Sequence, residues 1–265
     1  MRRFAPLALL LMISAQPAPE AQVDWRWERD TPICSLKQVV SVDGTTIQIS
    51  RTPGNDQTSV SVAGRDGSMS VASVILRDGK ILFVPGGETS DGTIYLTKRN
   101  GSGDVYALID DTNFLSNIGR SSAIEFKHEK IAPIRLPVRS GAAAVSALRS
   151  CEDRTMREWG IDPVAWRALK ARPLPLQPWT EWLSGDDYPA TAVLNGIEGF
   201  VIPKMQVGAD GSVLSCESIR RTRSATYRDK MCDKLKKRAH FRPALDANGN
   251  PVAAPFVFAI KFRLE

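Results

Sequence analysis

Apolar and polar residues alternate along residues 36–109, and turn-forming dipeptides break the alternation at intervals. Asp-Gly occurs at positions 43, 66, 78 and 91, and Asn-Gly occurs at position 100. These dipeptides supply the positive φ angles that tight hairpin turns require. Short strands separated by such turns predict a mainly-β domain, either a sandwich or a barrel-like sheet.

A helical periodicity replaces the alternation at the end of this β-rich region. Within residues 140–160, Val145, Leu148, Cys151, Thr155 and Trp159 recur at steps of three or four residues. This spacing predicts a closing helix whose apolar face packs on the sheet.

The next stretch is rich in proline. Pro173, Pro175 and Pro178 favour an extended backbone and disfavour a helix, so we interpret residues 163–185 as a Pro-rich linker. The same stretch contains three tryptophans: Trp166, Trp179 and Trp182. Because large aromatic side chains are usually well covered, a buried irregular loop is the alternative.

Residues 186–265 predict the order helix, strand, strand, helix, strand. Pro189 suits the first turn of the short helix, and Asp210-Gly211 suits the hairpin turn between the first two strands. The long helix carries an apolar stripe: Tyr227, Met231, Leu235 and Ala239. Helices on one face of an antiparallel sheet predict an α+β domain.

The N-terminus has the layout of a secretory signal peptide. Arg2 and Arg3 precede an apolar run from Phe4 to Ala15, which small residues and prolines follow. The run is shorter than the about 20 residues that span a bilayer. We expect cleavage after Ala15 or Ala21, which leaves an exported protein without an integral membrane segment; an uncleaved anchor is the alternative.

The domain organisation predicted from these patterns has four parts: a signal peptide at 1–21, a β-rich domain at 22–162, the linker at 163–185 and the α+β domain at 186–265. The four cysteines allow three pairings. One disulfide in each folded domain gives Cys34–Cys151 and Cys216–Cys232, and free structural thiols are the alternative. A zinc site is disfavoured, because the chain has no CxxC motif and only two histidines.

Charge and motifs favour no catalytic or nucleic-acid function. The net charge of +6 is moderate, and the long helix carries most of one basic run: Lys230, Lys234, Lys236, Lys237 and Arg238. That run lacks the interleaved aromatic residues of single-strand binding proteins, and we interpret it as a solvated helix face rather than a membrane-binding one. His128, His240 and the pair Asp186-Asp187 form no catalytic set, so we predict neither an enzyme nor a cofactor.

Residues 187–265 contain, in order, "DYPATAVLNGIEGFV", "VGADGSV", the helix leading to "FRPA", and a hydrophobic terminal strand. Together these stretches give a resemblance to the C-terminal domain of TonB-type energy transducers. It implies a periplasmic domain that binds a short segment of an outer-membrane receptor, the TonB box, as an added strand. Such β-augmentation takes affinity from backbone hydrogen bonds and specificity from alternate side chains.

The resemblance implies two partner-binding regions. The first is Asp187, Tyr188 and Pro189. The second is the closing strand: Val257, Phe258, Ala259, Ile260, Lys261 and Phe262. Alternation along a single strand predicts that the phenylalanine face is core and that the face with Val257 and Lys261 points to water. A free edge here would also allow a homodimer.

The chain differs from a complete transducer in having a folded β domain and only a short Pro-rich stretch. We therefore predict an exported TonB-domain protein that binds an outer-membrane receptor or another envelope protein, with a link to TonB-dependent transport. The alternative is a structural, envelope-associated interaction protein without an energy-transducing role.

Overall fold

The computed structural model describes residues 25–27, 33–41, 44–64, 74–99, 102–109, 111–187, 190, 194, 199–219 and 225–262. The predicted signal peptide lies outside the described residues. Among the helices that are described, none is long and apolar enough to cross a membrane. The chain is mixed and strand-rich, as predicted.

The N-terminal half (residues 25–162) is built on one curled antiparallel sheet. Its strands are β1 (Arg26–Trp27), β2 (Cys34–Val39), β3 (Thr46–Arg51), β4 (Thr58–Ala63), β5 (Val74–Val84), β6 (Thr89–Arg99), β7 (Ser102–Ile109), β8 (Ala123–His128) and β9 (Ile131–Pro137). Their order across the sheet is β1-β2-β3-β4-β7-β6-β5-β8-β9. Strands that follow each other in the chain pair with each other, except that β4 pairs with β7 and β5 pairs with β8.

Two of the predicted hairpin turns are wrong. The Asp-Gly dipeptides that contain Gly79 and Gly92 lie inside β5 and β6, where these two glycines pair with each other. A β-carbon on Gly79 would stand 2.5 Å from Cδ1 of Ile94, and one on Gly92 would stand 2.6 Å from the carbonyl oxygen of Leu108. The glycines therefore permit close packing within the sheet, and the hairpin turns at residues 85–88 instead.

Most residues of the other turn dipeptides lie outside the described part of the chain. Asp43, Asp66, Gly67, Asn100 and Gly101 lie outside the described residues. β6 and β7 nevertheless pair from Arg99 and Ser102, on the two sides of the Asn-Gly dipeptide. That register agrees with the predicted hairpin between these strands.

Two helices cover the N-terminal sheet, α1 (Phe114–Arg120) and α2 (Gly141–Glu158). Ala144, Val145 and Leu148 of α2 join the strand side chains in one buried core. Beside them, Cys151 is bonded to Cys34 of β2, as predicted, with an S–S distance of 1.98 Å. The closing helix is therefore tied covalently to the first long strand of the sheet.

The segment predicted as an extended linker contains secondary structure and two buried tryptophans. It contains α3 (Pro163–Ala168), β10 (Leu174–Pro175) and α4 (Trp179–Trp182), and a 3-10 turn follows at Gly185–Asp187. Trp166 is 7% exposed and Trp182 is 1% exposed. The helix begins where Asp162 accepts a hydrogen bond from the amide of Val164. The segment is therefore neither an extended linker nor a buried irregular loop, because Trp166 and Trp182 are buried whereas Leu174 and Leu176, beside the prolines, are 51% and 58% exposed.

The C-terminal part (residues 185–262) consists of short strands and one long helix. These are β11 (Gly199–Val201), β12 (Pro203–Val207), β13 (Val213–Ser218), α5 (Ala225–Arg238), β14 (Phe241–Arg242), β15 (Ala244–Leu245), β16 (Pro251–Val252), β17 (Ala254–Val257) and β18 (Ile260–Phe262). A central sheet has the order β13-β12-β17, while β11 pairs with β18, β15 with β16, and β14 with β10. The single predicted closing strand is thus divided between β16, β17 and β18.

The predicted hairpin at Asp210-Gly211 is confirmed. The amide of Gly208 donates to the carbonyl of Ser212 over 2.8 Å, and Gly211 has a φ of 82°. The predicted short helix before it falls mostly outside the described residues, although Ala190 and Leu194 are helical.

α5 packs against the central sheet through three residues of the predicted stripe, while the side chain of Tyr227 lies outside the described ones. Met231, Leu235 and Ala239 are buried with the aromatic rings of Trp182, Phe241, Phe256 and Phe258. Cys232 of α5 is bonded to Cys216 of β13, the second predicted pair, with an S–S distance of 1.99 Å. The basic residues of this helix that the structure describes are half-buried or exposed, as a solvated face requires.

A third apolar cluster joins the N-terminal half to the C-terminal part. Met156, Ile161 and Trp166 pack there against Ile202 and Val257. Next to the cluster, Nζ of Lys204 donates to the carbonyl oxygen of Trp159 over 2.6 Å. The central C-terminal sheet is therefore covered by α5 on one face and by the end of the N-terminal half on the other.

Candidate functional site

The outer edge of β17 is the part of the C-terminal sheet on which the predicted closing-strand site depends. On its inner side β17 pairs with β12, with Phe256 opposite Met205 and Ala254 opposite Val207. Beyond the end of β17, the amide of Phe258 still donates to Pro203 of β12. Backbone groups alternate in direction along a strand, so Pro255 and Val257 present theirs to the outside.

The outer side of Val257 is occupied by a loop of the N-terminal half, residues 52–57 (called the 52–57 loop below). The amide of Val257 donates to the carbonyl of Gly54 over 3.3 Å. The carbonyl of Val257 accepts from Nδ2 of Asn55 over 2.9 Å. Val257 is 0% exposed, so the prediction that its side chain faces water is wrong, because the N-terminal half covers it.

Polar contacts within the N-terminal half fix the position of the 52–57 loop. Arg51, at the end of β3, forms a buried ion pair of 3.0 Å with Glu152 of α2. Its guanidinium also donates to the carbonyl of Asp56 and to the hydroxyl of Thr58. A buried charge with all these partners is rigidly placed. The position of the loop is therefore fixed by buried residues of the N-terminal half.

Gly54 can reach Val257 because it has no side chain. Its φ is +80°, and a β-carbon there would stand 2.9 Å from Cγ2 of Val257. Sequence reasoning missed Gly54 and Asn55. The stretch "TPGNDQ" signals a turn, but nothing local indicates that its partner lies 202 residues away.

The remaining residues of the predicted closing-strand site lie in different environments. Phe258 and Ile260 are buried in the aromatic core, as expected for the phenylalanine face, and Ala259 is half-buried. Lys261 and Phe262 belong to β18, where their backbones pair with Phe200 and Gly199. The predicted faces of Lys261 and Phe262 lie outside the described side chains.

Asp187 ends the 3-10 turn and is bound within the domain. Its carboxylate is 6% exposed and pairs with Lys234 and, over 2.8 Å, with Arg238 of α5; it also accepts from the amide of Ser184. Burial raises the pKa of this carboxyl, but the hydrogen bonds from Lys234, Ser184 and Arg238 outweigh that effect and lower the pKa to about 2. Asp187 thus anchors the start of the domain to α5. The other two residues of that region, Tyr188 and Pro189, lie outside the described residues.

The two histidines make hydrogen bonds within the fold. One ring nitrogen of His128 lies 3.1 Å from the carbonyl of Arg77, and the other accepts from the amide of Lys130. His240 is exposed just after α5, where its carbonyl accepts from the amide of Leu176. Within the described part of the chain, no three residues of the types His, Cys, Asp and Glu are grouped as a metal site would need.

The comparison with protein families decides what this C-terminal part is. Residues 185–264 match the family described as Gram-negative bacterial TonB protein C-terminal. The C-terminal part of this chain is a TonB-type C-terminal domain. The match begins at the 3-10 turn that carries Asp187 and takes in the final strands, so it coincides with the second folded part. A search of curated proteins finds none that matches the chain.

Backbone hydrogen bonds, in addition to the covalent chain, join the TonB-type domain to the segment that precedes it. The amide of Lys170 donates to the carbonyl of Leu245, and β10 pairs with β14. The outer edge of β17, on which the idea of a homodimer rested, is covered by the 52–57 loop. Nothing in the described residues supports a homodimer.

Proposed function

We propose that this chain is an exported periplasmic protein whose TonB-type domain binds an outer-membrane receptor or another envelope protein. The observation that carries the proposal is the family match over residues 185–264, because domains of this kind interact with envelope proteins. Both disulfides agree with an oxidising compartment such as the periplasm. We propose binding and no catalysis, with a role in TonB-dependent transport following from the receptor as partner.

The proposed mode of binding is strand addition along the edge formed by β17 and β18, from Val257 to Phe262. An added strand gains affinity from main-chain hydrogen bonds, and its side chains are read alternately on the two faces. Asp187 contributes indirectly, since its ion pairs with Lys234 and Arg238 fix the chain that leads into Tyr188 and Pro189.

Backbone methylation of the ligand tests strand addition directly. The protein purified after export is titrated calorimetrically with a synthetic TonB-box peptide and with two versions of it that carry N-methyl groups on alternate residues. In an added strand only one alternate set of amides faces the domain. Two lost hydrogen bonds at about 1 kcal/mol each correspond to about thirtyfold weaker binding.

We expect one methylated peptide to lose affinity by that factor and the other to bind like the unmodified peptide. Equal binding by both methylated peptides would contradict strand addition. Failure of the unmodified peptide to bind would contradict the receptor as partner.

The alternative is an envelope-associated interaction protein in which the TonB-type domain has no receptor function. The contact between the 52–57 loop and Val257 favours this alternative, because an edge covered from within the chain is not open to a receptor. The same titration separates the two functions, since the alternative predicts no binding of the TonB-box peptide.

A further inference from the structure

The outer edge of β17 offers no free backbone donor to an incoming strand. Of its two outward residues, Pro255 has no amide hydrogen, and the amide of Val257 is bonded to the carbonyl of Gly54. The carbonyl of Val257 is taken as well, by Asn55. A strand that approached this edge would have to displace the 52–57 loop before it could pair.

The 52–57 loop imitates one residue of an antiparallel partner strand. In a hydrogen-bonded antiparallel pair, the two residues exchange both N–H···O bonds. Here the carbonyl of Gly54 accepts from Val257 and the carboxamide of Asn55 donates to it. The side-chain amide of Asn55 takes the place of a backbone amide. The loop therefore makes the two hydrogen bonds that a residue of a paired strand would make.

The imitation extends over a single residue of the edge, Val257. Two hydrogen bonds and the packing of Gly54 on Val257 are a small contact. An extended peptide that pairs along the proposed edge, from Val257 into β18, makes more hydrogen bonds than the loop does.

We propose that the 52–57 loop is an internal cap of the TonB-type domain, and that a partner strand pairs with β17 only after the loop leaves it. This regulation rests on the proposed function. It makes the 52–57 loop, rather than the whole N-terminal half, the competitor for the partner edge, because the half is also held to Val257 through the cluster with Met156 and Ile161. Asn55 is the residue on which the cap depends, because its carboxamide supplies the only side-chain hydrogen bond described between the loop and β17.

Amide hydrogen exchange of the full exported chain tests the cap without any ligand. The variant is Asn55→Ala, and Asn113→Ala is the matched control, because Asn113 is exposed in the same half and its side chain does not cap α1. We expect the amide of Val257 to be protected in the parent and in Asn113→Ala. In Asn55→Ala it should exchange about fivefold faster, the factor that corresponds to one net hydrogen bond of about 1 kcal/mol.

Titration of the same three proteins with the TonB-box peptide tests the competition. The cap predicts that Asn55→Ala binds the peptide about fivefold more tightly than the parent and that Asn113→Ala binds like the parent. Circular dichroism of the three proteins identifies a variant that has lost its fold, and Gly54→Ala serves as a second variant, since its methyl group would contact Val257.

Unchanged exchange at Val257 in both Asn55→Ala and Gly54→Ala would overturn the cap. Faster exchange with equal peptide affinity in all three proteins would also overturn it, because the peptide would then bind at another edge. Faster exchange with no peptide binding in any protein would support the cap and overturn the proposed function instead.

Discussion

Asp187 shows how a single residue of the TonB-type domain can serve binding without touching the partner. Its carboxylate lies under Lys234 and Arg238 of α5 and accepts the amide of Ser184. The chain that leaves it continues to Tyr188 and Pro189. Loss of these bonds would release the start of the domain, so an effect of Asp187 on binding is expected to come through stability.

The substitution Asp187→Asn should lower the free energy of unfolding by about 2 kcal/mol at neutral pH, since it removes charge-assisted hydrogen bonds. The folded pKa of about 2 lies below the ordinary value of 3.8. The contribution of Asp187 is therefore complete above the unfolded pKa and is lost as the pH falls through the folded one. Urea unfolding should show the difference between parent and variant narrowing from about pH 4 to pH 2.

Asp91→Asn is the control for this measurement. Asp91 forms a 3.2 Å ion pair with Lys80 in which both side chains are exposed, and such pairs contribute at most about 1 kcal/mol. A loss in Asp187→Asn no greater than in Asp91→Asn, or one that is independent of pH, would contradict the structural role of the Asp187 carboxylate.

At the scale of elements, the contact between α5 and β13 depends on a covalent bond as well as on packing. Met231 and Leu235 bury one face of α5 in the aromatic core, and Cys232 lies beside them, bonded to Cys216. The part of the domain that carries this bond is small, so its hydrophobic core alone provides limited stability. The disulfide therefore holds the helix on a sheet of only three strands.

Replacement of both Cys216 and Cys232 by alanine should lower the free energy of unfolding by about 3 kcal/mol, because a closed loop of this length restricts the unfolded chain by that amount. Replacement of Cys34 and Cys151, which are 117 residues apart, should cost about 4–5 kcal/mol by the same reasoning. Urea unfolding measures both. Equal stability of the first double variant and the parent would show that packing alone holds α5.

At the scale of the whole molecule, the two folded parts share a core. Trp166 packs with Met156 and Ile161 against Ile202 and Val257, and the guanidinium of Arg172 stacks over its ring at 4.5 Å. Met156 and Ile161 of the N-terminal half and Trp166 of α3 are buried with two residues of the TonB-type domain, so the unfolding of the two parts is coupled. The N-terminal half and the TonB-type domain are therefore expected to unfold as one unit.

The substitution Trp166→Ala should separate this unit into two thermal transitions, since removal of a buried tryptophan costs about 3–5 kcal/mol. Val164→Ala is the matched control in the same helix, because Val164 is 70% exposed. Differential scanning calorimetry should show one transition for the parent and for Val164→Ala. A single transition in Trp166→Ala as well would contradict the coupling through this cluster.

The sequence by itself determined those features that depend on near neighbours along the chain. The hairpin at Asp210-Gly211, the apolar stripe of α5 and the pairing of the cysteines follow from dipeptides, periodicity and one disulfide for each folded part. The TonB-type domain was recognisable because short motifs stand in order between 185 and 264. Local conformational preference and hydrophobic periodicity suffice for each of these.

Only the tertiary structure decided what surrounds the candidate edge. Whether Val257 faces water depends on Gly54 and Asn55, which lie about two hundred residues earlier, and whether Trp166 is covered depends on Ile202. The same holds inside the N-terminal sheet, where Gly92 accommodates a neighbouring strand rather than a turn. A pattern along the chain records which residues can be buried or turned, whereas the partner that buries them is chosen by packing across the whole molecule.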